Sequence, residues 1–290
     1  MRNLSSSRTF SYGSSAPLRA AFTLIELLIV ISIISLLIAL IAPAIAGVLH
    51  RAKILEVQVE IMGLDAAAND FKGASAGKVH PPSSITLYEK GGAWSNSSKR
   101  AIRRIFGDEF NFAISRDIDG DGNKTGSFTL NGAECLVFFL GGIPRKDGSG
   151  NWVLNGFSKS KSDPFRFTGN ERNRRQFFTE WDTGRLSDPN NNGFPVYSDI
   201  FNVGEARPYL YASTTRTGSY EVSDINPPMT SVYHQGSANV PWKKSGFQII
   251  SPGADHTYGT GGKFTLDGGV FGRDVEKDNI TNFGGGALDE

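Results

Sequence analysis

Three stretches of this chain gather oxygen-bearing side chains of the kind that hard cations such as calcium prefer. In DIDGDGNKTG, residues 117–126, Asp117, Asp119 and Asp121 alternate ahead of Gly122, the first half of a calcium-loop pattern. The twelfth position of that pattern is Phe128, so the closing bidentate acid is missing, and a plain aspartate–glycine turn is the competing reading. In DPNNNGFPVYSD, residues 188–199, Asp188, Asn190, Asn192 and Gly193 precede Asp199 at position twelve. Pro195 and the weakly charged ligand set point to low affinity there, and Asp199 equally suits a structural turn. The third stretch is SPGAD, residues 251–255, with Asp278-Asn279 further on; a polar turn cluster without metal is its alternative.

A fourth residue stands out by isolation. Glu26 lies near the start of AFTLIELLIVISIISLLIALIAPAIAGVLHR, residues 21–51, and is the only acid in it. A carboxylate in hydrocarbon costs roughly 2.5 kcal/mol or more at a helix centre and less towards its end. Either it snorkels to headgroups, or it has a cationic partner. A cut just before Phe22 would create one, an α-amino group a turn away or on a neighbouring subunit.

Enzyme chemistry finds little support. No HExxH, GxSxG or CxxC occurs, and the four histidines are scattered. TYGTGGKF has Phe264 where a phosphate loop needs Ser or Thr after its lysine. The single cysteine, Cys135, forbids an intramolecular disulfide and reads as a small buried hydrophobe. With 30 basic and 29 acidic residues, the charge balance gives no reason to expect nucleic acid as a partner. A non-enzymatic role is the expectation.

The elements that must position these residues follow from hydropathy. Leu27 to Leu49 is 23 residues without a charge, long enough to cross the ~30 Å hydrocarbon core as a helix. A cleaved secretory signal has a shorter apolar core of ~7–15 residues. Arg2, Arg8 and Arg19 precede the run, which places the N-terminus in the cytoplasm and the bulk of the chain outside. Beyond His50-Arg51 the pattern becomes amphipathic: Ile54, Val57, Ile61, Leu64, Ala68 and Phe71 recur at steps of three and four. The helix is therefore expected to continue to about residue 72, its stripe facing a core, until Gly73, Gly77 and Pro81-Pro82 end it. SSKRAIRRIF, 97–106, predicts a helix with a solvated basic face. ECLVFFLGGIP fits a strand or a buried helix, whereas RPYLYAST and GFQIISPG alternate as strands.

Ala21-Phe22-Thr23-Leu24-Ile25-Glu26 resembles the leader of type IV pilins and type II secretion pseudopilins. The resemblance implies that a prepilin peptidase cuts after Ala21, where the family usually has glycine, and methylates Phe22. Glu26 then stands fifth after the cut, at the family's glutamate, and pairs with the N-terminal amine of the adjacent subunit. Pro43 falls at the family's helix-kinking proline, which lets the helix bend, although a tolerated membrane proline is the plainer reading.

GKVHPPSS resembles the loop that leaves the long helix in pseudopilins, with His80 as the intervening ring. SDIFNVGEARPYLYAST and FQIISPGADHTYGTGG, with EKDNITNF, are similar to the late strands and C-terminal calcium loop of the major pseudopilin. The resemblance implies Ca²⁺ at Ser251, Asp255, Asp278 and Asn279, with Asp274 or Glu276 able to compensate for the asparagine.

The expected fold is α+β: a long N-terminal helix packed on a small antiparallel-sheet head, type IV pilin-like. Residues 1–21 are a leader, 22–49 the transmembrane helix, 50–76 its amphipathic extension, and 77–290 the head, with an insertion at about 83–187. The expected role is a filament subunit driving type II protein secretion. The alternatives are a type IV pilin for adhesion, motility or DNA uptake, and a membrane-tethered calcium-binding module. Expected partners are copies of itself, other pseudopilins, the prepilin peptidase, the inner-membrane assembly platform and membrane lipid. The expected location is the bacterial inner membrane with a periplasmic head, and then the periplasmic pseudopilus.

Overall fold

The computed structural model describes residues 22–289 apart from 168–172, 176, 177, 203, 205, 206, 216, 226, 227, 237–239 and 271. The chain forms two compact units, one up to Leu49 and one from His50 to Glu290. A single helix, α1, runs Leu24–Ala74 and passes through Pro43 without interruption. Up to Leu49 every described residue is exposed, as an apolar segment awaiting lipid or a partner must be.

From His50 on, α1 is amphipathic in the expected way. Ile54, Val57, Ile61, Leu64, Ala68 and Phe71 are all buried, with Ala67 added to the stripe. Full burial of one such aliphatic side chain stabilises by about 1.5–3 kcal/mol, so this face docks the helix firmly. The helix stops where Ser75 takes over: its hydroxyl accepts the Val79 N–H at 2.8 Å, and Lys78 adopts a left-handed φ of 51°.

The rest of the second unit is short elements around one main core. In order they are β1 (Ile85–Tyr88), α2 (Asn96–Phe106), β2 (Ser127–Leu130), α3 (Gly132–Gly141), β3 (Pro144–Lys146), β4 (Trp152–Leu154), β5 (Leu186–Ser187) and β6 (Val196–Tyr197). There follow β7 (Leu210–Ser213), β8 (Tyr233–Gln235), β9 (Val240–Pro241), β10 (Phe247–Ser251), β11 (Gly262–Phe264) and β12 (Ile280–Thr281). β12-β10-β7 form an antiparallel sheet, and β11-β8-β9 a second one in which β11 and β8 run parallel. The pairs β1/β2, β3/β4 and β5/β6 are antiparallel.

The ambiguous run ECLVFFLGGIP resolves as α3, and every residue of that helix is buried. A capping box starts it: the Asn131 side chain accepts the Glu134 N–H at 3.0 Å, and Glu134 Oε2 accepts the Asn131 N–H at 2.9 Å. Phe139 then meets Phe71 of α1 edge-on, ring centroids 5.8 Å apart. The stretch read as an insertion thus supplies a central helix to the same core as the α1 stripe. Cys135 is fully buried within it. On α2 the basic residues stay solvated, Arg103 stacking 5.3 Å over Phe112. His80 packs edge-on to Phe247 at 4.9 Å, and burial pushes its imidazole down to about 4, so at neutral pH it is an uncharged ring.

Candidate functional site

Glu26 is held by its own helix start. Its Oε2 accepts the Thr23 N–H at 2.9 Å and the Thr23 hydroxyl at 2.7 Å, while its own N–H donates to Thr23 Oγ1 at 3.2 Å. This reciprocal pair is a capping box that satisfies otherwise orphaned N–H groups. Both of these donors are neutral groups, so among the described residues no cation is paired with the carboxylate. A cation placed beside it would be attracted without first displacing another cation. Phe22 is exposed, and Ala21 lies outside the described residues.

The 117–122 loop acquires the acid its sequence lacks. Asp117 accepts the N–H groups of Gly120 (2.6 Å) and Gly122 (3.2 Å) and faces the Arg145 guanidinium at 3.7 Å, so it serves the turn. Asp119 and Asp121 instead converge on Glu89, just after β1, with one oxygen of each acid within 4.8 Å of the others. Glu89 is fully buried, and its carboxylate accepts the N–H groups of Ile118 (2.6 Å) and Gly126 (3.0 Å). Burial raises the Glu89 carboxyl above its ordinary range, and the charge of Asp119 adds to this. Asp119 is raised likewise, first by burial and then by Asp121 and Asp117. Among the described residues this is the one group of three acids spaced to hold a metal ion. Sequence reading missed Glu89 because it lies outside any twelve-residue window.

The 188–199 stretch does not assemble a comparable site. Asp188 accepts the N–H groups of Asn192 (3.1 Å) and Gly193 (2.9 Å), and the Asn190 and Asn192 amides both donate to Glu134 Oε1, at 2.8 and 2.9 Å. Asp199 is fully buried and takes the structural role: it accepts from the Phe201 N–H (2.8 Å), the Asn202 amide (2.7 Å) and the Ser251 hydroxyl. The closing acid at position twelve therefore serves another turn. Gly193 has φ 83°, and a Cβ there would sit 2.7 Å from that of Asp119, so glycine is what lets the two loops meet.

The C-terminal loop brings Asp255 and Asp278 together. Asp278 Oδ2 accepts the N–H groups of Ala254 (2.7 Å) and Asp255 (2.9 Å), and Asp255 Oδ1 accepts the Thr257 N–H at 2.7 Å. The Asp255 carboxyl is raised, first by burial and further by the charge of Asp278. Asn279 is fully buried; its Nδ2 donates to Tyr233 Oη and the Tyr258 carbonyl, both at 2.9 Å, while its Oδ1 has no partner. Two neighbouring carboxylates suit a hard cation. Ser251 does not contribute its hydroxyl, which is held by Asp199. Nor do the expected compensating acids. Glu276 turns inward to the N–H groups of Thr260 (2.8 Å) and Gly261 (3.1 Å), and Asp274 pairs with Lys277 at 3.0 Å.

A second unforeseen cluster ties α1 to the chain around it. Glu60 accepts from the Arg185 guanidinium through both oxygens, from Tyr197 Oη at 2.7 Å and from Tyr209 Oη. Arg185 also stacks on the Tyr197 ring, 4.6 Å from its centroid. Burial raises both tyrosine hydroxyls, with the Glu60 charge adding to the effect.

A family profile, the prokaryotic N-terminal methylation motif, matches residues 17–42. No curated protein and no solved structure matches the chain. That motif, followed by the apolar start of α1, fits the pilin and pseudopilin family, and the α+β head is consistent with it. The motif implies processing by a prepilin peptidase and assembly with other pilin-like subunits, and the apolar helix indicates a membrane anchor. Intact mass of the native protein is expected to correspond to a chain beginning at N-methylated Phe22. A mass that retains residues 1–21 in cells with active peptidase would refute that.

Proposed function

We propose that this chain is a pseudopilin-like subunit of a type II secretion filament, anchored in the bacterial inner membrane with its head in the periplasm. Its role is mechanical rather than catalytic: subunits leave the bilayer, stack through their N-terminal helices and push cargo outward. The observation that carries the reading is the processing motif joined to an uninterrupted 51-residue helix with Glu26 at its start. The C-terminal loop supports the secretion branch, because Asp255 and Asp278 meet there as the resemblance implies. In the native bacterium, loss of the chain should stop export of secreted proteins and leave pilus-driven motility intact. The reverse pattern would move the chain to the pilus branch.

Calcium is part of the proposal. Asp255 and Asp278 would hold it at the C-terminal loop, and the ion would supply charge neutralisation that locks the loop. A cation that binds only the folded state stabilises by about 2.7 kcal/mol at a hundredfold excess over Kd. For a head of this size that corresponds to a rise of several degrees in Tm. Asp255→Ala and Asp278→Ala should each remove most of the calcium-dependent rise. If both keep it and Asp119→Ala or Glu89→Gln abolishes it, the ion sits at the Glu89 cluster instead.

The pH dependence has a definite sign. Asp255, Glu89 and Asp119 have raised carboxyls when folded, so without calcium their contribution favours the folded state at acid pH and is lost as pH rises through the folded values. Calcium opposes that loss because it binds the ionised form. The calcium-induced rise in Tm should therefore be larger near pH 7 than near pH 4, the ordinary carboxylate range. Melting curves with calcium and with chelator at both pH values measure it.

A further inference from the structure

One open cleft in the second unit is built around a single charge. It measures about 640 Å³, within the ordinary range of small-ligand sites, and is lined by Arg51, Ile54, Leu55 and Gln58 of α1 and by residues 284–287. Arg51 is the only charged residue among them. It is exposed and forms no ion pair, ring contact or side-chain hydrogen bond among the described residues. Its neighbours are engaged: His50 packs 5.8 Å from the Phe201 ring, and Lys53 lies 5.7 Å over the same ring. The other wall contains three successive glycines. Gln58 Nε2 donates to the Gly285 carbonyl and so ties this loop to α1. Gly285 has φ 76°, and the N–H groups of Gly285 and Gly286 have no hydrogen-bond partner among the described residues. A Cβ at either glycine would meet nothing within 4 Å, so the loop presents bare backbone to open space.

We infer that this cleft seats the headgroup of an anionic phospholipid, with Arg51 on its phosphate. The inference rests on the membrane-anchor reading and deepens it by naming a lipid contact. Three features select this occupant. The first is position: Arg51 follows Leu49, the last residue of the uncharged run, by two residues, about 3 Å of helix rise. The headgroup layer outside the hydrocarbon core is ~5–7 Å deep, so the guanidinium falls within it. The second is the pairing of one cation with an apolar wall, since Leu55 is 60% exposed beside it. A phosphodiester brings a single charge with glycerol and acyl carbons attached, which matches both surfaces. A free phosphate ion would leave the apolar wall uncovered and part of its own charge unpaired. The third is the absence of any carboxylate from the lining. The ammonium of a choline or ethanolamine headgroup would find no partner there, whereas a glycerol headgroup has no cation to place. The unpaired Gly285 and Gly286 N–H groups add neutral donors for oxygens, as backbone amides do in other anion sites.

Native mass spectrometry of the full chain in detergent tests this, with phosphatidylglycerol, phosphatidylcholine and inorganic phosphate added in turn. Wild type should retain phosphatidylglycerol several-fold better than phosphatidylcholine, and no phosphate at the same concentration. Arg51→Gln should cut the retained phosphatidylglycerol several-fold, and Arg51→Lys should restore part of it. Lys53→Gln removes a cation two residues away and should change nothing, because that ammonium lies over Phe201. Equal losses in Arg51→Gln and Lys53→Gln would reduce the effect to general surface charge and overturn the cleft. Equal retention of phosphatidylcholine overturns the anionic headgroup, and inorganic phosphate that displaces the lipid overturns lipid as the occupant. Alkaline carbonate that frees the chain from native membranes would instead overturn the anchor reading. A chain that stays in the membrane while Arg51→Gln retains lipid like wild type overturns the cleft alone.

Discussion

Glu60→Ala should lower the stability of the extramembrane part by about 3 kcal/mol, because it strands the Arg185 charge and two tyrosine hydroxyls. The Arg185 and Glu60 side chains keep 14% and 21% of their surface exposed, so the lower end of the buried-pair range applies. At 2–4 °C per kcal/mol for a domain of this size, Tm should fall by roughly 6–12 °C. Thermal melts of the full chain in detergent, followed by tryptophan fluorescence, measure this. Glu60→Gln should lose less, since an amide oxygen still accepts from the tyrosines. A fall of under about 2 °C in Glu60→Ala would mean that solvent replaces the lost partner and that the stripe alone docks the helix.

Glu26→Val should leave processing largely intact yet abolish most filament assembly and secretion. The reason lies in what surrounds the carboxylate. In the single chain it is held only by neutral Thr23 donors, so the charge is available to the amine of an incoming subunit. Docking that joins the two charges removes an expensive unpaired pair from an apolar bundle and so fixes the register. Valine makes the segment more apolar but carries no register signal. Glu26→Asp should be milder without being silent, since the shorter arm must reach the same amine. Processed Glu26→Val chains that assemble like wild type would remove the register role. Immunoblots of cleaved subunit alongside sheared filaments separate the two effects.

Both predictions depend on interactions of different legibility. The processing motif, the apolar span and the α1 stripe could be read directly, because each is local: a fixed residue order, a run without charge, and a helical period. Leu210–Ser213 and Phe247–Ser251 were legible as short runs between turn residues, although every position of both strands is buried and the expected alternation of faces is not seen. The α3 run was ambiguous only by periodicity; Asn131 and Glu134 spelled a capping box that would have settled it.

What the sequence could not express is which acids converge. Glu89 joins Asp119 and Asp121 because β1 pairs with β2 and returns the chain beside the loop. Glu60 meets Arg185 across 125 positions and Tyr209 across 149. Asp199 looked like the twelfth ligand of its own loop, yet packing turned it to Ser251 and Asn202. The sequence by itself determined a cleavable, anchoring helix with a head-binding stripe, because hydropathy and motif order act over a few turns of chain. Only the tertiary structure decided which carboxylates share space, because their desolvation and mutual repulsion depend on distances that no spacing along the chain encodes.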